Sequence, residues 1–114
     1  MPVHEFPIEL NPQEPDSDRL HVRIETSEAP PRRLTLFSIQ YSAVIGGRTY
    51  VIARHDSSHG IAHRRLFDRH GDTRNGRDDP NETFMQVAER ARRELRDNWR
   101  RLRREFIARE EIDA

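Results

Sequence analysis

Hydrophobic and polar positions alternate along the middle of the chain with the period of two that is typical of β-strands. The longest such run predicts a strand with one buried and one solvated face, and its apolar face holds Phe37, Ile39, Tyr41, Ala43 and Ile45. A shorter run at residues 20–25 alternates in the same way and predicts an earlier, half-buried strand. This strand ends before residues 30–31, because two prolines there cannot donate to a strand ladder.

Two glycines at residues 46–47 follow the long strand and predict a two-residue hairpin turn, since both positions of such a turn favour positive φ. The return strand then covers residues 48–54. In this register Ile39 pairs with Arg54, which places Arg54 at the end of the apolar face. A buried arginine needs a partner, and Asp56 follows on the same face if the strand continues.

The C-terminal third predicts one long helix. Asp79 is the expected N-cap, with Pro80 at the first helical position and Glu82 completing a capping-box-like arrangement. Apolar residues then recur at spacings of three and four: Phe84, Ala88, Ala91, Leu95, Trp99, Leu102 and Phe106. A helix to around Ile112 is roughly 45 Å long by the standard rise per residue. A small sheet does not cover that length, so we expect its C-terminal half to protrude or to contact another subunit.

The remaining segments complete a domain plan. Residues 1–19 predict a flexible, acidic, proline-rich arm, and residues 20–114 a single domain. Within that domain, residues 61–69 predict a further strand and residues 73–78 a polar loop. The fold class is therefore predicted as α+β. The expected architecture is a small antiparallel β-sheet of three to four strands with one Gly-Gly hairpin, packed by one long C-terminal α-helix.

Composition narrows the classes of function. Only 33% of the 114 residues are hydrophobic and 35% are charged, so the core is small and we expect stability to draw on self-association, as a homo-oligomer, or on a partner. The absence of cysteine excludes disulfides and thiolate metal sites. No apolar run approaches the ~20 residues of a membrane span, and no signal segment opens the chain. A cytoplasmic protein without membrane contact is expected.

The net charge of zero conceals an uneven distribution. Residues 1–31 contain seven acids and two arginines, a net charge of −5, whereas residues 32–77 contain nine arginines and three aspartates, a net charge of +6. A basic middle segment suits phosphate-rich partners such as RNA. Ordinary surface charge is the alternative interpretation.

Residues 54–65 are the densest cluster of side chains with chemical potential. Three histidines, one aspartate and three arginines lie within these twelve residues, around a predicted turn. One interpretation is a site for Zn²⁺ or Mn²⁺ formed by His59 and His63 with Asp56 or His55, because imidazole and carboxylate groups are ligands for both metals.

A second interpretation is metal-free acid–base chemistry on a phosphodiester. A histidine titrates near neutral pH, and a second histidine can act as the complementary acid, which favours His59 and His63. Arginine stabilises negative charge that develops on phosphate, a role open to Arg54 and Arg64. Asp56 then orients a histidine or pairs with Arg54. The third interpretation is structural, with Asp56 pairing Arg54 and binding backbone amides of the turn.

The predicted helix is the other candidate for nucleic-acid contact. Between residues 90 and 109 it carries nine arginines against three acids, and such a face can follow a phosphate backbone. Glutamates at helical spacing from arginines also fit an ordinary solvated helix. The candidate nucleic-acid-binding residues of the whole chain are Arg64, Arg65, Arg93 and Arg100.

The segment from Arg54 to His63 resembles a signature of small uncharacterised prokaryotic proteins, in which a strand ends in Arg-x-Asp-x-x-His-Gly-x-x-His. Here the four positions are Arg54, Asp56, His59 and His63. The segment is also distantly similar to TumE-type toxins of toxin–antitoxin systems, whose pattern has asparagine where this chain has Ser57. The resemblance implies a site at the four signature residues, a toxin-like role and a cognate antitoxin as partner.

The leading hypothesis is therefore a toxin-like or RNA-directed prokaryotic protein that acts on phosphodiesters through the four signature residues. One alternative is a non-catalytic interaction module that forms a homodimer or captures a partner through the C-terminal helix. The other is a small metal-binding protein.

Overall fold

The computed structural model describes residues 2–57, 60–77 and 81–113, without the side chains of residues 75 and 77. Within these residues an antiparallel sheet of six strands in sequence order packs against one long C-terminal helix. The α+β class is confirmed, but the expected count of three to four strands is wrong. The elements are β1 (Val3–Glu9), β2 (Asp18–Thr26), β3 (Leu34–Ile45), β4 (Arg48–Asp56), β5 (His63–Phe67), β6 (Thr73–Arg77) and α1 (Phe84–Arg109). We call the sheet face that α1 covers the inner face, and the opposite one the outer face.

The first uncounted strand is β1, in the segment expected to be a flexible arm. It pairs with β2 along its whole length, with Phe6 opposite Val22 and Ile8 opposite Leu20. Phe6 and Ile8 both pack against the core. Prolines suggested an arm without structure, but β1 is an edge strand, where proline is tolerated.

The second uncounted strand is β6, in the segment expected to be a polar loop. Phe67 pairs with Thr73 and His63 with Arg77, after a turn in which Gly71 has a φ of 85°. Backbone pairing, rather than apolar alternation, holds this edge strand, because two of its residues, Thr73 and Arg74, are exposed. The predicted strand at residues 61–69 is confirmed in a shorter form as β5.

The β3–β4 hairpin has the predicted two-residue turn. Gly46 and Gly47 have φ values of 58° and 80°, and Ile45 pairs with Arg48 across them. The turn sets the register as expected as far as Ala43 and Tyr50.

A β-bulge then changes the register. Ser42 pairs with Val51 but Tyr41 pairs with Ala53, so Ile52 is the extra residue on β4. Beyond the bulge, Arg54 pairs with Gln40 on the outer face rather than with Ile39. The prediction that Arg54 lies on the apolar face is therefore wrong, because a shift of one residue moves each following side chain to the opposite face.

Helix α1 begins four residues after the predicted start. Thr83 is the N-cap, its hydroxyl accepts a hydrogen bond from the Gln86 amide at 3.2 Å, and the Gln86 side chain accepts from the Thr83 amide at 2.8 Å. Glu82 precedes the helix and pairs with Arg90 at 2.6 Å. The predicted cap residues 79–80 lie outside the described residues. Two capping signals follow each other here, and the second one starts the helix.

The length of α1 matches that of β3, along which it lies. The helix has 26 residues, or about 39 Å, and β3 has 12 residues, or about 40 Å. The ring of Phe37 packs on Phe84 near one end of the helix, and the ring of Tyr50 packs on Phe106 near the other, with centroids 5.8 and 5.4 Å apart. Phe106 is fully buried. The C-terminal half therefore does not protrude, which removes the reason for expecting α1 to contact another subunit.

A buried polar network fastens α1 to the sheet. Asp18 is fully buried at the start of β2. Its carboxylate accepts hydrogen bonds from the Tyr41 hydroxyl at 2.5 Å, from the Ser17 hydroxyl at 2.9 Å and from Arg103 Nη1 of the helix at 3.1 Å. A buried carboxylate is tolerated only with such partners, and through Asp18 the network connects Arg103 of the helix to β2 and β3.

This network predicts that the stability of the fold depends on pH in the alkaline range. Burial, reinforced by the bond to Asp18, raises the pKa of the Tyr41 phenol above its ordinary value. Because the folded protein holds this proton more tightly, the contribution is complete below about pH 10 and is lost as the pH rises further. We expect the urea midpoint of the parent protein to fall more steeply above about pH 10 than that of Tyr41→Phe. Parallel profiles would contradict the burial of a protonated phenol.

Candidate functional site

The outer face brings together three of the four signature residues. In the β4–β5 ladder Arg54 lies opposite Arg65, and Asp56 lies opposite His63. Directly opposed residues point to the same side of a sheet, as do residues two apart on one strand. We call Arg54, Asp56, His63 and Arg65 the outer cluster. Sequence reasoning selected three of its members as a site and assigned the fourth, Arg65, to nucleic-acid contact.

Asp56 is the buried anion of the outer cluster. It is 4% exposed, and its Oδ2 accepts a hydrogen bond from Arg65 Nε at 2.9 Å. The alternative in which Asp56 pairs with Arg54 is not what the described residues show. Asp56 lies opposite His63 on β5, and its carboxylate bonds diagonally to Arg65, two residues further along β5, rather than to Arg54 on its own strand. Asp56 therefore orients a guanidinium on the outer face.

Arg54 is held by a different set of contacts. Its Nε and Nη2 donate to the side-chain oxygen of Gln40 at 3.1 and 2.5 Å, and its guanidinium lies 5.1 Å from the centre of the Phe67 ring. A guanidinium has five N–H donors, and Gln40 takes two of them. The side chain is thus positioned in advance for an anion that approaches the outer face.

His63 completes the outer cluster and is half-buried. Within the outer cluster it has two arginines and one carboxylate as neighbours, so the charge of the cluster is positive before the histidine itself is counted. Such a surface attracts phosphate, which arginine binds in a bidentate manner. An imidazole beside it can transfer a proton. The arrangement can therefore bind an anion and carry out acid–base chemistry.

The inner face contains a cleft that the sequence did not predict. It has a volume of about 490 Å³ and lies between α1 and the β4–β5 strands. His55, 2% exposed, and Arg64, exposed, reach it from opposed positions of the two strands. We call it the inner cleft. The bulge turns His55 towards the helix, and the regular hairpin register used for the prediction could not show this.

The family described as a domain of unknown function (DUF7718) matches residues 1–112. The chain belongs to this family. The match extends from β1 to the end of α1 and so includes both the outer cluster and the inner cleft. No curated protein matches the chain, and no solved structure matches it either. In the described part of this DUF7718 domain, no helix has the length and hydropathy needed to span a membrane.

The structure describes only part of the predicted metal site, because His59 lies outside the described residues. Of the two alternative further ligands, Asp56 lies opposite His63 on the outer face, whereas His55 points to the inner face. Among the residues that the structure describes, no group of three or more histidine, aspartate or glutamate side chains could hold a metal ion.

The four predicted nucleic-acid contacts of this DUF7718 domain lie on different surfaces. Arg65 belongs to the outer cluster and Arg64 to the inner cleft, because consecutive strand residues alternate in direction. Arg93 and Arg100 are exposed on α1, which covers the inner face. A single nucleic-acid strand on one surface therefore cannot contact all four arginines.

Proposed function

We propose that this DUF7718 domain is a toxin-like protein that acts on RNA phosphodiesters at the outer cluster. The observation that carries the proposal is the β4–β5 register, which sets Arg54 opposite Arg65 and Asp56 opposite His63. Two phosphate-binding side chains, a buried carboxylate and an imidazole thereby share one face. These are the groups needed to bind a phosphodiester and to move a proton during its cleavage.

Each member of the outer cluster has a distinct proposed role. Arg54 and Arg65 bind the phosphate oxygens and stabilise the charge that develops on them. Asp56 positions Arg65 through the bond to its Nε. His63 transfers a proton at the scissile bond. His59 is proposed as the complementary acid or base; it falls between β4 and β5 in the sequence and outside the described residues.

The resemblance to TumE-type toxins supports the toxin-like part of the proposal. Arg54, Asp56 and His63, three of the four residues in which the chain resembles the Arg-x-Asp-x-x-His-Gly-x-x-His signature, lie together, as a site requires. A cognate antitoxin in the cytoplasm is the partner that such a role implies. A helix-mediated interaction module is less well supported, because the apolar stripe of α1 is buried against the chain's own sheet.

Measurements of single-stranded RNA binding test whether the RNA contacts the outer face or the helix. We expect Arg54→Ala to weaken RNA binding about tenfold. The negative slope of log K against log salt should become shallower by about 0.7, which corresponds to the loss of one phosphate contact. Arg93→Ala removes the same charge from the exposed surface of α1 and serves as the matched control. Fluorescence anisotropy with a labelled oligonucleotide at several salt concentrations measures both quantities.

The control should bind RNA as the parent protein does. If Arg93→Ala weakens binding as much as Arg54→Ala does, the RNA lies on the helix and the proposed site is wrong. Equal affinities for the parent protein and Arg54→Ala would also contradict the proposal.

A further inference from the structure

The inner cleft is open because one helix is too narrow for this sheet. A helix is about 10 Å across and neighbouring strands are about 4.8 Å apart, so α1 covers only part of the six-stranded sheet. The helix packs on β3 and β4. The inner face of β5 is left beside it, where Arg64 and Leu66 line the cleft.

Apolar side chains from both elements form the walls of the inner cleft. Ala53 and Leu66 line it from opposed positions on β4 and β5, and Leu95 and Leu102 line it from the helix. The volume of about 490 Å³ lies within the range of small-molecule sites. Apolar walls on both sides favour a flat ring, which buries both of its faces.

Two arginines and two glutamates line the inner cleft, and Arg64 is the one of these four without an ion-pair partner among the described residues. Arg64 is exposed, and no carboxylate in the described part of the chain forms an ion pair with it. Arg101 reaches the cleft from α1 and pairs with Glu105 at 3.3 Å, with the two side chains 54% and 52% exposed. Exposed pairs of this kind are weak, so an incoming anion can compete for Arg101. An anionic group on the ligand is therefore favoured.

Hydrogen-bond acceptors lie along the helix side of the same cleft. Asn98 donates its Nδ2 to the Glu94 backbone oxygen at 2.8 Å, which uses one of the two donors and fixes the amide group. The amide oxygen remains as an acceptor for ring N–H groups, and the Glu94 carboxylate, which pairs with Arg90 at 3.4 Å, has further lone pairs to offer. His55 lines the cleft from the strand side.

We propose that the inner cleft binds a purine mononucleotide. The phosphate binds Arg64 and Arg101, and the base lies between the leucine side chains with its N–H groups directed to Asn98 and Glu94. This site is on the opposite side of the sheet from the outer cluster, and the proposal does not depend on the proposed RNA chemistry.

Calorimetric titration with adenosine and guanosine monophosphates tests the proposal. The parent protein should bind at least one of them, and Arg64→Ala should weaken that binding at least about tenfold. Arg104→Ala is the matched control, because Arg104 is exposed on α1 and does not line the cleft. Inorganic phosphate and the free nucleosides, titrated separately, should each bind more weakly than the nucleotide. NMR shift changes should include the side-chain amide of Asn98.

Each opposing outcome would overturn the mononucleotide site. These outcomes are no binding of either nucleotide, phosphate binding as tight as nucleotide binding, or equal losses in Arg64→Ala and Arg104→Ala. Arg54→Ala separates the two proposals, since it should impair RNA binding while leaving the titration with the mononucleotide unchanged. If Arg54→Ala abolishes mononucleotide binding, the nucleotide occupies the outer cluster and the inner cleft is not its site.

Discussion

Asp18→Asn should lower the free energy of unfolding by about 3–5 kcal/mol, the usual cost of breaking a buried ion pair. The carboxylate of Asp18 is fully buried and accepts hydrogen bonds from Tyr41, Ser17 and Arg103. An amide has one oxygen fewer to offer and leaves the Arg103 guanidinium without its counter-charge. Urea denaturation gives the free energy directly, and the slope of the transition shows whether unfolding remains two-state.

Asp16→Asn is the matched control for this change. Asp16 lies two residues earlier, its side chain is 76% exposed, and its ion pair with Arg19 is at the surface. Asn also tolerates the positive φ of 71° found there. The control should differ from the parent protein by less than about 1 kcal/mol. Similar losses for Asp16→Asn and Asp18→Asn would show that the buried network contributes little.

His63→Ala should reduce RNA cleavage by about 10²–10⁴-fold, the contribution typical of a general acid or base. The fold should tolerate the change because His63 is half-buried, outside the core that α1 covers. Expression of the parent protein should arrest cell growth, whereas expression of the His63→Ala variant should not. Cleavage of a labelled RNA, with thermal denaturation of both proteins, separates loss of chemistry from loss of structure.

His21→Ala supplies the control for an imidazole on the same outer face. His21 is on β2, exposed, and its Nε2 lies 2.9 Å from Glu5 Oε1. The His21→Ala variant should cleave RNA at the same rate as the parent protein. Full activity in His63→Ala would remove His63 from the mechanism, and inactivity of a stable parent protein towards every RNA tested would contradict the phosphodiester proposal as a whole.

Local signals in the sequence were sufficient for the strongest elements. The alternation in β3, the turn at Gly46 and Gly47 and the apolar stripe of α1 each depend on neighbouring residues, and each is confirmed. The edge strands β1 and β6 were missed, because their pairing depends on a neighbouring strand rather than on a strong pattern of their own. The period-two pattern of β2, extended back to Asp18, would have placed a carboxylate on the buried face and indicated the network.

The candidate site was predicted in residue type but not in geometry. Arg54, Asp56 and His63 were selected because polar side chains concentrate around one turn, and they do share a face. The bulge at Ile52, which no local signal announces, places Arg54 beside Gln40 on the outer face. Asp56 pairs with Arg65 across the ladder, a partner that depends on the β4–β5 register. The inner cleft depends in addition on where α1 crosses the sheet, which is a property of packing between distant segments.

The bulge also shows that the number of residues in β4 determines which side chains lie on each face of the sheet. Odd and even positions of a strand belong to opposite surfaces, so the parity of the residue count from the hairpin turn decides which chemistry each surface carries. Loss of one residue between Arg48 and Arg54 would move each following β4 side chain to the opposite face of the sheet. A substitution here alters one side chain, whereas a deletion would turn His55 outward and Asp56 towards the helix in a single step. This stretch should therefore tolerate changes of residue type far better than changes of length.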